Sequence, residues 1–249
     1  GVIIGFIGIA DCFLVNALSF LALIYNLYLM ELPPWEKRAG EQTIWADIRE
    51  GFIYVRGSRR IFNIISISYV MAMFGAPYNR FVPIFATNIL SLGPTGFGIL
   101  MSAPGFGATM AALVLASVRK MRVGIRWICA FVLGFALSLA LFAFSHSVVL
   151  SFVFLAMVGF CQIGERALSN TAIQMEAPSN LLGRVLSLFF MDRGLWSLGS
   201  VFMGTAASAI GISWTFAVCA GICTVAASGL LAAGARRRAQ AAIQQLPGS

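Results

Sequence analysis

The stretch IRWICAFVLGFALSLALFAF, from Ile125 to Phe144, decides the fold, because it is long and apolar enough to cross a membrane. A helix that crosses the hydrocarbon core needs roughly 20 predominantly apolar residues. The whole chain resembles this stretch, since its 249 residues are 59% hydrophobic and only 10% charged. Similar apolar runs recur with almost no β-alternation, and a backbone in lipid must satisfy its hydrogen bonds internally. The sequence therefore predicts an all-α membrane protein.

Seven apolar runs predict seven membrane spans. The first covers about residues 2–30 and ends before Pro33 and Pro34, which prevent the helix from continuing. A polar linker at 31–60 separates it from six more runs, which are joined by short connections. These six cover roughly residues 61–90, 96–118, 125–144, 148–168, 182–208 and 212–234. We expect a six-helix transmembrane bundle over residues 61–234, preceded by one extra transmembrane helix and followed by a basic tail at 235–249.

The basic residues predict which side of the membrane each connection faces. Of the 17 Lys and Arg residues, six lie in the linker, four lie in RKMRVGIR at 119–126, and three form the run 236–238. The intervening turns SLGPT, SHS and AIG carry none, and this alternation fits the positive-inside rule. The linker, the 119–126 loop and the tail are therefore expected in the cytoplasm of a bacterium whose inner membrane holds the protein. The net charge of +8 is divided among separate helix ends, which favours anionic lipid over nucleic acid as the partner.

The linker contains an amphipathic pattern. Its apolar residues Ile44, Trp45, Ile48, Phe52 and Val55 recur at helical spacing, with charged residues on the other face. This pattern predicts a helix on the inner membrane surface, and a partner-binding helix is the alternative.

Apart from Arg126 and Arg184 at the starts of two spans, six charged residues fall inside the predicted spans, three acidic and three basic. Each isolated charge costs at least about 2.5 kcal/mol at a helix centre, so a balanced set indicates mutual pairing or a shared aqueous cavity. Arg80 follows Gly75 and Pro77 and precedes Pro83, which predicts a broken span of the kind that lines cavities. The six candidate substrate or gate residues are Asp11, Arg80, Glu165, Arg166, Asp192 and Arg193.

The segment FFMDRGLW, Phe189 to Trp196, places an acid beside a base about 15 Å into its span at 1.5 Å per residue. Glu165 and Arg166 form a second adjacent pair at similar depth on the preceding antiparallel span. Cross-helix pairing of Glu165 with Arg193, or of Arg166 with Asp192, is therefore expected. Such a pair either fixes helix register statically or belongs to a network that rearranges or exchanges a proton.

The chain contains, in this order, the segments FLVNALSF, LPP, YVRGSRR, FVPIFATNIL, GFGILMSAPGFGATMAALVLA and NTAIQMEAPSNLLGRVLSL. Together these segments resemble the second half of a major facilitator superfamily transporter, from the family's sixth helix to its twelfth. The resemblance is strongest to the branch that includes enterobactin exporters and macrolide-efflux-like proteins. It implies a secondary transporter that exports small amphipathic, siderophore-like or drug-like compounds. The loop SVRKMRVGIR lacks the acid that the family often carries there, so the resemblance assigns it no gate role.

The same resemblance implies that five further helices precede this sequence, so we expect a C-terminal fragment that requires its N-terminal half for transport. A non-transporting membrane scaffold or assembly subunit with the same bundle is the alternative. The two differ in charge at membrane depth, which a transporter needs and a scaffold does not.

Catalytic and cofactor sites are not expected. The glycine-rich strings GFGILM and GFGATM do not complete a nucleotide-binding loop, and no strand precedes them. Ala103, Gly107 and Ala111 instead form a small-residue face for close helix packing. All five cysteines fall within the predicted spans, and Cys219 and Cys223, one helical turn apart, lack His or carboxylate neighbours. We therefore expect buried thiols and no metal site.

Overall fold

The structure is a computed structural model that describes residues 2–30, 44–117 and 124–244. It divides into two units, Gly1–Thr43 and Ile44–Ser249. The first unit contains helix α1, Val2–Tyr28, in which Phe13–Tyr28 is the apolar stretch. The predicted helix at 2–30 is confirmed, while its crossing of the membrane stays a prediction. Most of the predicted linker before residue 44 lies outside the described residues.

All regular secondary structure in the described part of the second unit is helical. Its helices, in chain order, are α2 Ile44–Gly57, α3 Arg59–Val70, a π-helical segment Met71–Gly75, α4 Tyr78–Asn88, α5 Pro94–Ser117, α6 Ile125–Ala143, α7 Val148–Glu176, α8 Leu182–Phe190, α9 Asp192–Ile210 and α10 Ile212–Gln244.

Six helical stretches in the described residues are long and apolar enough to cross a membrane, which confirms the predicted six-helix bundle. They are the first span Arg59–Asn88, the second Gly96–Ser117, the third Ile125–Ala143, the fourth Val148–Glu176, the fifth Leu182–Ile210 and the sixth Ile212–Arg236. The fourth helix continues eight residues past its predicted end at 168, because polar residues near Asn170 lower the local hydropathy without interrupting the helix. Much of the predicted tail is likewise helical, since α10 reaches Gln244.

Glycine brings α5 and α7 into backbone contact. A Cβ added at Gly107 would overlap the carbonyl oxygen of Ala156, and one at Gly159 would overlap that of Pro104. Ala103 and Ala111 are both buried on the same face of α5. The predicted small-residue packing face is thus confirmed. Four cysteines are also buried free thiols, as predicted, namely Cys129, Cys161, Cys219 and Cys223.

The first span is interrupted, as its glycine and prolines predicted. The Ala76 N–H donates to the Met71 carbonyl at 2.7 Å, a five-residue spacing that marks the π-helical segment. A new helix then starts at Tyr78 after Pro77. Gly199 of α9 packs against this point so closely that a Cβ there would overlap the Met73 carbonyl oxygen.

The fifth span is also interrupted, which the sequence did not reveal. Helix α8 ends at Phe190 and α9 begins at Asp192, and the Met191 N–H lies 3.1 Å from the Ser187 carbonyl and 3.2 Å from that of Leu188. The Tyr69 hydroxyl donates to the same Leu188 carbonyl at 2.5 Å. A side chain from the first span therefore supports the break in the fifth.

Helix α2 forms as predicted and is docked on the bundle. A Cβ at Gly51 would lie 3.2 Å from the Arg184 Cβ, Glu50 forms an ion pair with Arg184, and Val55 is buried. Trp45 and Phe52 stay exposed, so the predicted apolar face is divided between the bundle and the outside.

Candidate functional site

The two interrupted spans and α7 line an open cavity of about 360 Å³. Both breaks contribute to its wall. Met71, Ala72 and Ala76 line the cavity beside the first break, and Asp192 and Arg193 line it beside the second. Its apolar lining residues are Met71, Ala72, Ala76, Ile163 and Trp196. Its polar and charged lining residues are Ser68, Asn79, Gln162, Glu165, Arg166, Asp192 and Arg193. Four of the six sequence-predicted site residues thus meet in one cavity.

Arg166 and Asp192 form the cross-helix ion pair that the sequence offered as one of two possibilities. Arg166 Nη1 lies 2.5 Å from Asp192 Oδ2, and Nη2 lies 3.4 Å from Oδ1. The Arg166 guanidinium carbon also lies 5.6 Å from the Phe189 ring centroid and 5.8 Å from that of Phe190. A bidentate carboxylate and two aromatic faces therefore position this cation.

Glu165 takes hydroxyl partners instead of a cation. Its Oε1 accepts hydrogen bonds from Ser68 at 2.7 Å and from Ser169 at 2.8 Å, and the residue is 4% exposed. The other predicted pairing, Glu165 with Arg193, is therefore not the arrangement in the structure. Ser68 reaches Glu165 from α3, a contact between helices that are distant in sequence.

Arg193 lies on the cavity wall with an exposed side chain. It has no ion pair or hydrogen bond among the residues that the structure describes. Trp196 lies three residues further along α9, so the two side chains share a helix face. That tryptophan is 37% exposed and lines the same cavity.

Arg80 lies beside the cavity, because its guanidinium carbon is 5.8 Å from the centroid of the Trp196 ring. Its side chain is exposed, and within the described chain it too lacks a carboxylate partner. Asp11 is exposed on α1 in the other unit, so its role stays a prediction.

The cavity has the composition of a small-molecule binding site. Such sites are commonly about 300–1,000 Å³, mostly apolar, and fitted with a few polar groups that orient the ligand. In this cavity Met71 and Trp196 offer apolar contact, Asn79 and Gln162 offer amide hydrogen bonds, and the charged groups offer ionic contact.

Sequence reasoning missed Ser68, Ser169, Tyr69 and Trp196. Ser68 and Ser169 are small polar residues in apolar helices, which is a weak signal because such residues often bond their own backbone. Trp196 stood at the end of FFMDRGLW, and its spacing of three from Arg193 was available from the sequence.

Sequence similarity relates the chain to known proteins. It is 31% identical over 169 residues to the staphyloferrin A transporter of Staphylococcus aureus (strain NCTC 8325 / PS 47), and this alignment covers 67% of the chain and 41% of the relative. The chain thus spans less than half the length of this relative. A family of major facilitator type, described as transmembrane secretion effector, matches residues 1–247. Six apolar spans and a family match over nearly the whole sequence agree, and the chain belongs to the transmembrane secretion effector family as an integral, multi-pass membrane protein.

Proposed function

We propose that this chain is the C-terminal half of a secondary active transporter that exports small amphipathic or siderophore-like compounds. The observation that carries the proposal is the charged cavity between two interrupted spans. Ionisable residues inside spans are costly and typically mark substrate or ion pathways. A scaffold or assembly subunit has no need of such a cavity, so the geometry favours transport over that alternative. The name of the staphylococcal relative supports the siderophore-like substrate.

Transport of this kind requires two halves that rock about a site near the membrane midplane. In the proposed complete protein, α1 is the sixth helix of the first half and five further helices join it. Residues 31–60 link the halves, residues 61–234 form the second half, and the cavity faces its partner half. The resemblance of the sequence segments to the enterobactin-exporter and macrolide-efflux-like branch is in line with this proposed division.

The six predicted charges have distinct proposed roles. Arg166 and Asp192 form the fixed edge of the cavity, because each already has a partner. Glu165, Arg193 and Arg80 are the substrate or gate candidates of the second half. Asp11 is the candidate that α1 contributes.

The proposed orientation places the linker, the 119–126 loop and the tail at 235–249 in the cytoplasm of a bacterial cell. The exposed Trp45 and Phe52 of α2 then lie at the inner leaflet, where Arg49 and Arg56 meet anionic headgroups. The lipid bilayer is accordingly a partner of α2 as well as of the spans.

An export assay tests the proposal. The full-length protein is produced in a bacterium that lacks its own siderophore exporters, and the secreted siderophore is measured. We expect export from the wild type and a clear loss in Arg80→Ala at unchanged abundance. Arg126→Gln, an exposed arginine at the start of α6, is the matched control and should export normally. Wild-type export by Arg80→Ala would remove Arg80 from the site, and no export by any form would favour the scaffold.

A further inference from the structure

The cavity contains two arginines whose surroundings differ. The Arg166 guanidinium is held by Asp192 at 2.5 Å and lies over two phenylalanine rings. The Arg193 guanidinium, on the same wall, has neither an ion pair nor a hydrogen bond among the described residues. The Arg166 guanidinium is therefore held by protein groups, whereas the Arg193 guanidinium is available to a ligand.

Both carboxylates of the cavity are already engaged. Asp192 is paired with Arg166, and Glu165 accepts the hydroxyls of Ser68 and Ser169. Among the described residues, neither carboxylate forms an ion pair with Arg193. With Arg80 close by, three guanidinium groups stand in or beside a cavity that holds two carboxylates. The local excess of positive charge favours an anionic ligand.

Trp196 specifies the rest of that ligand. Its ring lines the cavity, lies on the same face of α9 as Arg193, and is covered on one side by the Arg80 guanidinium at 5.8 Å. An apolar or aromatic group that enters beside Arg193 meets this ring and Met71. Planar guanidinium groups bind carboxylates through two parallel hydrogen bonds, which fixes orientation as well as charge.

We infer that Arg193 is the anion-binding group of this cavity and that it takes a small amphipathic carboxylate whose apolar part lies against Trp196. The inference rests on the proposed transport function and names its substrate class. Arg166 is then a positioning residue that holds the cavity wall, while Arg193 contacts the substrate.

Calorimetric titration of the purified full-length protein in phosphatidylcholine nanodiscs tests this inference without transport. The probes are 2-naphthoate and its uncharged analogue 2-naphthamide, which share an aromatic body and differ in charge. We expect Arg193→Gln to weaken naphthoate binding about ten- to hundredfold, the range of a charged hydrogen bond, and to change naphthamide binding less than about twofold. Arg193→Lys should recover part of the loss. The control Arg126→Gln should bind both probes as the wild type does.

Three outcomes would overturn the inference. Equal losses for both probes, with a lowered unfolding temperature, would mean that Arg193 pairs with a carboxylate of the protein. Unchanged naphthoate binding in Arg193→Gln would mean that the anion sits elsewhere. The third is weaker naphthoate binding in nanodiscs that contain phosphatidylglycerol, with no such difference between the two lipids in Arg193→Gln. That result would assign the Arg193 guanidinium to a lipid phosphate. Selective naphthoate binding in a protein that exports nothing would uphold the anion site and refute the proposed function. Export by a protein that does not prefer naphthoate to naphthamide would uphold the proposed function and refute the anion site.

Discussion

Arg166 and Asp192 form an ion pair across neighbouring spans, and the two sides of the pair differ sharply in burial. The Asp192 side chain is 3% exposed, whereas that of Arg166 is 38% exposed. Arg166 also has the Phe189 and Phe190 rings as further partners. Loss of the cation therefore strands a buried carboxylate, while loss of the carboxylate leaves a cation with other contacts.

Arg166→Gln should destabilise the protein more than Asp192→Asn. Removal of one partner of a buried pair costs about 3–5 kcal/mol, and the partial exposure of Arg166 should bring the Asp192→Asn loss below that range. The unfolding temperatures of the purified full-length variants provide the measurement. The double variant should lose less than the sum of the single losses, because the residues interact directly. Additive losses, or a larger loss in Asp192→Asn, would contradict this pairing.

Glu165→Gln should keep the fold and Glu165→Ala should not. Two buried hydroxyls, from Ser68 and Ser169, donate to the same Oε1, and a glutamine carbonyl oxygen can accept both. Alanine removes that acceptor. Each buried hydroxyl left without a hydrogen-bond acceptor lowers the free energy of unfolding by about 1–3 kcal/mol. Membrane abundance and unfolding temperature measure the difference. Ser102→Ala, at an exposed serine, is the control and should behave as the wild type. Equal effects of Gln and Ala would show that the hydroxyl contacts contribute little.

Gly107→Ala should weaken the packing of α5 on α7. The added Cβ would overlap the backbone of Ala156, so one helix must move, and overpacking of this kind costs about 1–3 kcal/mol. Gly105→Ala is the matched control on the same helix, because a Cβ there meets nothing within 4 Å. It should be neutral or stabilise the helix by up to about 1 kcal/mol. The comparison uses unfolding temperatures, and a ranking in the opposite order would refute the close contact.

Single-cysteine labelling should place His146 on the opposite side of the membrane from Lys120 and Arg238. The native cysteines are first replaced, and the variants His146→Cys, Lys120→Cys and Arg238→Cys are then treated in intact cells with a membrane-impermeant maleimide. His146→Cys should react at once, and the other two only after permeabilisation, because basic connections stay in the cytoplasm. Labelling of all three from one side would invalidate the six-span topology.

Features that depend on local sequence were predicted, and those that depend on contacts between distant helices were not. Hydropathy identified the six spans, small residues identified the close-packing face of α5 but not its partner α7, and Pro77 with Gly75 identified the first break. The similar depth of the two acid–base pairs in the membrane predicted an ion pair of Arg166 with Asp192. It predicted a pair of Glu165 with Arg193 equally well. The serines that engage Glu165 lie on α3 and α7, and only tertiary packing shows that they meet at one oxygen.

The docking of α2 was missed for a related reason. Its apolar residues fitted a membrane-surface helix, and Gly51, which packs against Arg184, carries no hydropathic signal. The break at Met191 was missed because the fifth span contains no proline. Its partner is the Tyr69 hydroxyl on another span.

That contact bears on the order in which the protein is assembled. Tyr69 lies 119 residues before Leu188, so synthesis delivers the first span to the bilayer well ahead of the fifth. Before the two spans pack together, the Leu188 carbonyl has, among the described residues, only the Met191 N–H as a donor, at 3.2 Å. We therefore expect the break at Met191 to gain its second donor only when the fifth span docks on the first. Asp192 and Arg193 follow this break, so we expect them to take their places in the cavity wall at that docking step.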